Sequence, residues 1–553
     1  MGFIFLALTW LIPTHIPPWV NFQSEFLAFL CLAWLSIGLL LKAAPNLRLT
    51  AAPIAIACVS IVPWLQFGTG VIFFAGDALI SSLYLASFAV AVVVGYSYSQ
   101  AVVSPSKNDW LIWPAVMLLA AAMVSSIIGL LQWLSQTDGF HVWVMHTEPG
   151  ERILANLGQP NQLASLLLMG IVALAFLFER GQVGRFALVL GVGFMTVLLA
   201  LTESRTSLLG CAAIALFLLQ KHRSCQLKLP ATAIFFWALA FGVAFFFLMP
   251  WVNEALLFTD GRNIPLTDEN GRGKIWQQTV YAIGQAPWGG YGWNQTPAAH
   301  AVGALQHPGV LAFTYSHNLI LDLLTWAGVL VGGLLTVLCL YWLVSRIARV
   351  ITKPAIYAMA MLLPVAIHSM LEFPFAYAFF LITVGILIGV VEASLTDIKS
   401  IAVSRYWAVG IVASLTLVGA YASYEYVLVE EDYRVARFED LKVGRTPADY
   451  TAPPIALHTQ LAALLTTLRQ PAVPLMSAQD IERLRQVSLR FGMRLLVFRY
   501  AVALGLNGDP IAATRQMQVL RGMFGERSYQ AAKEDMRRLA LESYSQLSSV
   551  NLP

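Results

Sequence analysis

Charge is what this chain has least of. Asp, Glu, Lys and Arg together make up 12% of its 553 residues, while 58% are hydrophobic and the mean hydropathy is +0.69. A soluble domain carries roughly 25% charged residues, so the composition excludes a soluble enzyme and describes an integral membrane protein. Cysteine is scarce as well. Cys31, Cys58, Cys211, Cys225 and Cys339 all fall in apolar runs or in segments assigned below to the cytoplasmic side. None is placed to bridge the outer loops, and their spacing fits neither a zinc site nor a redox pair, which leaves packing as their role. The chain also lacks a Walker loop, a dinucleotide fingerprint and a clustered Asp pair for a metal. No cofactor, metal or nucleic acid is expected, and the energy for any reaction must come from the substrate.

What is present is a series of long apolar stretches. A membrane-spanning helix needs roughly 20 mostly apolar residues, because hydrocarbon offers its backbone no other partner. Such spans read near residues 2–19, 25–41, 50–66, 78–97, 110–134, 161–178, 186–201, 207–220, 230–251, 317–345, 355–371, 374–391 and 406–428, about thirteen in all. Pro13, Pro17 and Pro18 interrupt the first. No Ala-x-Ala-like cleavage site follows it, so it is read as a helix and not as a signal peptide.

A cytoplasmic N-terminus assigns Lys42, Arg48, Lys107, Arg180, Arg185, Lys221, Arg223, Lys228, Arg346, Arg349, Lys353, Lys399 and Arg405 to inner loops. The outer loops then keep only Arg152, Arg205, Arg262, Arg272 and Lys274. Inner loops are enriched in Lys and Arg, so this orientation is favoured. The expected fold is an all-α polytopic membrane protein with residues 1–428 in and around the bilayer, including a large outer loop over 251–316. An odd number of spans puts residues 429–553 outside too, as a separate helical domain. There Ile481, Leu484, Val487, Leu489 and Leu495 recur at helical spacing, and Ser477 with Asp480 forms a capping box. Ala503-Leu504-Gly505-Leu506-Asn507-Gly508-Asp509-Pro510 reads as a helix end, a turn and a new helix starting at Pro510. The pattern suggests helical hairpins of tetratricopeptide type.

The polar island Trp251–Ser316 and the turn that follows it gather Arg262, Arg272, Lys274, His300, His307 and His317 at one membrane face. Such a face suits a substrate with an anionic head and a lipid tail. Arg205 stands in the very short outer turn Thr202-Glu203-Ser204-Arg205, and Arg272 lies between Gly271 and Gly273, which let a backbone approach a ligand closely. Two guanidinium forks grip phosphate oxygens well. An ordinary role is equally open: Arg205 paired with Glu203, and Arg272 decorating a loop. His317 opens a span straight after the island, where an imidazole is suited either to take a proton near neutral pH or to cap a helix. His368 and Glu372, at i and i+4 near another outer end, suit either a substrate or a structural pair. His15 with Pro17-Pro18-Trp19, Gln66 with Gly70 and Asp77, and Asn156-Leu157-Gly158-Gln159-Pro160-Asn161 map to outer loops, as sugar-binding walls or as helix caps.

Taken in order, Glu203-Ser204-Arg205-Thr206, Gly271-Arg272-Gly273-Lys274-Ile275-Trp276, Pro287-Trp288-Gly289-Gly290-Tyr291-Gly292-Trp293 and Ser316-His317-Asn318-Leu319 resemble the O-antigen ligase and polymerase superfamily. His15-Ile16-Pro17-Pro18-Trp19, His368-Ser369-Met370-Leu371-Glu372-Phe373-Pro374 and the outer C-terminal helices look like its PglL-type protein O-oligosaccharyltransferases. The resemblance implies a multi-pass protein of the bacterial inner membrane with its active face and C-terminus in the periplasm. It implies transfer of an oligosaccharide from undecaprenyl diphosphate to Ser or Thr hydroxyls of a pilin or another periplasmic protein. Arg205 and Arg272, with Lys274, would neutralise charge on the leaving diphosphate, and His317 would take the acceptor proton. Tyr315 and Asn318 would flank the base, and Tyr377 would serve near the same face, with Gln159 and Asn161 in supporting positions. Ligation to lipid A core and O-antigen polymerisation share this chemistry. A secondary transporter would instead place its ionisable groups near the midplane, often within inverted repeats.

Overall fold

A computed structural model of the chain describes residues 2–42, 45–101, 110–256, 271–309 and 312–552; Lys107 and Arg262 lie outside them. Among the described residues the regular structure is helical apart from one antiparallel ribbon that pairs Asn46–Leu49 with Ile401–Ser404. Among the described residues, eight helices are long and apolar enough to cross a membrane: Phe22–Lys42, Ala51–Gly68, Ala75–Gln100, Ile112–Trp133, Pro160–Glu179, Ala231–Ala255, Leu319–Arg349 and Arg405–Asp440. Arg185–Leu201, Lys353–His368 and Ala378–Ala393 are shorter apolar helices. Arg205–Cys225 runs for 21 residues but carries Arg205, Lys221 and Arg223. The first expected span is corrected: the chain is helical only over Gly2–Thr9 before residue 22. Pro13, Pro17 and Pro18 lack the N–H that a helix interior needs, and this stops the helix well short of a span.

The chain forms two compact units. One comprises residues 1–58, 84–266 and 341–419. Its axis is the Pro160–Glu179 helix, buried at every position from Asn161 to Glu179. It packs against Ile112–Trp133, Arg185–Leu201, Arg205–Cys225 and Lys353–His368. A helix that is apolar on all sides is stable only when surrounded in this way. Its last residue, Glu179, is paired with Lys353 and also accepts from the Lys228 N–H at 2.8 Å. A second buried carboxylate, Glu392, takes the Arg346 Nε and the Trp342 Nε1, each at 2.8 Å. Buried charges are tolerated when paired in this fashion.

The other unit comprises residues 59–83, 267–340 and 420–553. Here Ser477 Oγ accepts from the Asp480 N–H at 3.1 Å, the expected cap. Asp509 Oδ1 accepts from the Ala512 N–H at 2.9 Å, which starts the Pro510–Glu542 helix at Pro510. The Arg405–Asp440 helix runs unbroken through residue 428. The helices beyond it share one core with the island: Ala301 and Ala304 pack with Val497, Ala501, Leu520 and Met523. The Gly309 N–H donates to the Gly522 carbonyl at 2.7 Å.

Candidate active site

Five residues, Thr314-Tyr315-Ser316-His317-Asn318, lead into the Leu319–Arg349 helix. Asn318 caps it, its Oδ1 accepting from the N–H of Ile320 at 3.0 Å and of Leu321 at 3.2 Å. His317, half-buried, has φ 55°, in the left-handed region that side chains seldom adopt. Such a conformation costs about 1–3 kcal/mol and persists only where the surroundings enforce it. Here they do. The Ser316 N–H donates to Asp322 Oδ1 at 2.8 Å, the Ser316 carbonyl accepts from Trp276 Nε1 at 3.0 Å, and Thr279 Oγ1 lies 3.4 Å from Ser316 Oγ. Trp276 and Thr279 belong to the Arg272–Gln285 helix. Arg272 and His317 are therefore held in one framework.

Arg272 is the first residue of that helix, entered through Gly271 at φ 70°; it is half-buried and Lys274 is exposed. In the other unit Arg205 likewise opens the Arg205–Cys225 helix and is half-buried. A helix N-terminus carries partial positive charge, so a cation there is locally disfavoured by about 0.3–1 kcal/mol. The N-terminal end of a helix is in general well suited to an anion.

The Pro287–Trp293 loop seats on an opened turn of the Leu319–Arg349 helix. Gly328 breaks that helix at φ 73°, ψ 175°. Tyr291 N–H bonds to Thr325 O at 2.8 Å, Gly292 N–H to Trp326 O at 3.1 Å, and Val329 N–H to Pro287 O at 2.7 Å. A Cβ on Gly328 would lie 2.3 Å from Trp288 O, and one on Gly290 would lie 2.6 Å from Thr325 O. Only glycines permit this seating. Gln66 braces it with both ends of its amide. Its Nε2 donates to Trp326 O at 2.7 Å and to Gly289 O at 3.3 Å, and its Oε1 accepts from the Trp293 N–H at 2.9 Å.

Asp77 is engaged by Arg490 of the C-terminal helices, with Nε and Nη2 at 2.8 and 2.7 Å from its two oxygens. The Asp77 side chain is 2% exposed. Removing one partner of a buried pair strands the other charge, at a cost of about 3–5 kcal/mol. Arg490→Ala is thus expected to lower the melting temperature in detergent far more than the neutral double variant Asp77→Asn with Arg490→Gln. Equal melting of the two would mean that the pair is not buried. Two island histidines have structural partners: His300 Nδ1 lies 2.9 Å from Gln278 Oε1, and burial pushes its pKa down to about 3. His307 packs edge-on against Tyr281 and its carbonyl accepts from Gln278.

In the first unit a buried polar chain runs beside Arg205. Ser204 Oγ donates to Asn161 Oδ1 at 2.7 Å, and Asn161 Nδ2 donates to Glu372 Oε1 at 3.2 Å. His368 Nδ1 lies 2.9 Å from Ser165 Oγ. His368 ends its helix, so it and Glu372 do not share a helical face as their spacing suggested. A turn instead brings the Glu372 N–H onto the His368 carbonyl at 2.8 Å. Tyr377, half-buried, stacks between Phe373 and Phe379. His15 Nε2 lies 3.0 Å from the Asn156 carbonyl, with its ring over Gly158. Gln159, half-buried, precedes the Pro160–Glu179 helix without capping it. Trp19 Nε1 donates to Glu25 at 2.8 Å.

Sequence reasoning passed over Asp322, Trp276, Ser204, Arg490 and Arg152, whose Nε donates to Thr202 O at 2.8 Å beside the Arg205 turn. For Asp322 a signal existed: it is a carboxylate inside an apolar span, five positions after a histidine.

Family models match three parts of the chain: an O-antigen ligase over residues 190–336, a protein glycosylation ligase over 153–178, and the C-terminal part of a virulence factor membrane-bound polymerase over 356–538. The chain is 29% identical over 501 residues to the general O-oligosaccharyltransferase of Acinetobacter baylyi, spanning 87% of this chain and 85% of that protein. To the ComP-specific O-oligosaccharyltransferase of the same organism it is 27% identical over 336 residues, or 60% of this chain and 59% of that one.

Proposed function

We propose that this glycosyltransferase is a PglL-type O-oligosaccharyltransferase of the O-antigen ligase superfamily, as its matches to an O-antigen ligase, a protein glycosylation ligase and a general O-oligosaccharyltransferase support, and that it moves an oligosaccharide en bloc from undecaprenyl diphosphate to Ser or Thr hydroxyls of periplasmic or pilin-like proteins. The observation that carries the reading is the His317 turn, held in a left-handed conformation and tied through Trp276 to the helix that begins at Arg272. In this reading His317 takes the acceptor proton, the hydroxyl attacks the anomeric carbon, and the lipid diphosphate leaves. Arg205, Arg272 and Lys274 favour the charge that grows on the diphosphate. A single displacement inverts the anomer and needs no metal. A multi-pass inner-membrane location and a periplasmic C-terminus belong to the same proposal. So do tetratricopeptide-like hairpins that present the acceptor, and supporting roles for Tyr315, Asn318, Gln159, Asn161, His368, Glu372 and Tyr377.

The match to an O-antigen ligase favours one rival, lipid A core as acceptor. Purified protein given a labelled lipid-linked oligosaccharide and offered a pilin-like protein together with lipid A core is expected to label the protein. Label on the lipid A core alone would move the chain to the ligase branch.

A further inference from the structure

Arg205 follows a turn, Thr202-Glu203-Ser204, that is strained and held at both ends. Glu203 has φ 49°, in the left-handed region that a residue other than glycine adopts only where its surroundings require it. Arg152 Nε donates to the Thr202 carbonyl at 2.8 Å, and Asn161 Oδ1 accepts from Ser204 Oγ at 2.7 Å. Ser204 is completely buried at the N-cap of the Arg205–Cys225 helix, where a serine hydroxyl ordinarily accepts from an N–H of the first turn. It makes no such cap. The hydroxyl is turned to Asn161 instead, and Asn161 Nδ2 donates onward to the buried Glu372 at 3.2 Å.

The segment that carries Arg152 and Asn161 is itself fixed by two buried amides. Gln132 Oε1 accepts from the N–H groups of Leu154 and Ala155 at 3.2 and 2.8 Å, and its Nε2 donates to the carbonyls of Met145 and Ala155, each at 2.9 Å. Asn156 Nδ2 donates to the carbonyls of Leu11 and Trp143 at 2.7 and 2.8 Å, and its Oδ1 accepts from the Met145 N–H at 3.0 Å. Buried amides bonded at both ends hold a backbone in one arrangement. The turn before Arg205 therefore rests on a rigid frame.

We propose that Asn161 is a positioning residue for Arg205, acting through the Ser204 hydroxyl to fix where the guanidinium meets the donor diphosphate. This rests on Arg205 acting on that diphosphate. As the acceptor oxygen bonds to the anomeric carbon, the bond from that carbon to the diphosphate oxygen breaks and its electron pair leaves on the diphosphate. A cation aimed in advance at that growing charge needs no reorganisation when it appears. A displaced guanidinium still reaches a phosphate in the ground state, but misplacement by about 1 Å costs up to about 10²-fold in rate. Loss of the Ser204–Asn161 hydrogen bond thus falls on turnover more than on donor binding.

Ser204→Ala and Asn161→Leu are the test, because each removes that hydrogen bond from one side and leaves Arg205 in place. Binding of labelled lipid-linked oligosaccharide and turnover onto a pilin-like protein are measured for the parent, both variants, Arg205→Ala and the two double variants. Turnover is counted per molecule of the folded fraction in detergent, so that a variant that melts early lowers the count and not kcat. Each single variant is expected to lower kcat roughly 10-fold with KM for the donor within about threefold of the parent. In the Arg205→Ala background each is expected to change the residual rate by no more than about twofold, since residues acting through one another are not additive. Ser204→Thr, which restores the hydroxyl, is expected to recover turnover over Ser204→Ala. Parental kcat in either single variant overturns the proposal. So does an equal loss with and without Arg205, which would make the hydrogen bond a structural feature of the fold, and so does a Ser204→Thr variant no faster than Ser204→Ala. Parental turnover in Arg205→Ala would fail the diphosphate role itself, an outcome separate from failure at Ser204 and Asn161.

Discussion

His317→Ala is expected to reduce glycan transfer about 10²- to 10⁴-fold, the usual contribution of a general base, while the lipid-linked donor still binds. The two quantities are measured separately in the same variant, because a loop that collapsed would lose both. The backbone makes a second substitution informative. His317 sits at φ 55°, a conformation that Asn tolerates better than Ala. His317→Asn therefore removes the base with little added strain, and it should lose transfer to the same degree. Transfer within a few-fold of the parent in both variants would make His317 a structural element of the turn. The base would then be sought first at His368, whose Nδ1 is 2.9 Å from Ser165 Oγ.

Arg205→Lys and Arg272→Lys are each expected to lose roughly 10- to 100-fold in transfer although both keep the charge. A charge-assisted hydrogen bond is worth about 1.5–3 kcal/mol, and a point ammonium does not reproduce the planar fork of a guanidinium. Both arginines open a helix, where a cation is disfavoured unless an anion joins it. Arg262→Ala, at a position in none of the family motifs, provides the comparison and is expected to matter less. Parental transfer in both lysine variants would remove the diphosphate role.

The C-terminal helices change meaning once their packing is known. As a separate outer domain they would influence acceptor choice more than bond-making. Their core, however, includes Ala301 and Ala304 of the island helix, and Arg490 holds Asp77. Substitutions there thus reach the unit that carries His317.

The sequence by itself determined the class and the places of most helices. Phe22–Lys42, Ile112–Trp133 and Pro160–Glu179 lie within a few residues of the apolar runs that announced them. In hydrocarbon each backbone N–H must be satisfied within its own helix, so this information is local and one-dimensional. The motifs around Arg205, Arg272 and His317 were equally legible, because their residue types are rare in so apolar a chain. Only the tertiary structure decided which polar groups meet. Arg490 bonds Asp77 across 413 positions, Gln66 bonds Trp326 across 260, and Asn161 bonds Glu372 across 211. Hydropathy reports that such a group is buried and carries no record of its partner. The partner is fixed when helix faces pack, where every buried donor and acceptor must be answered by whatever side chain the packing brings within about 3 Å.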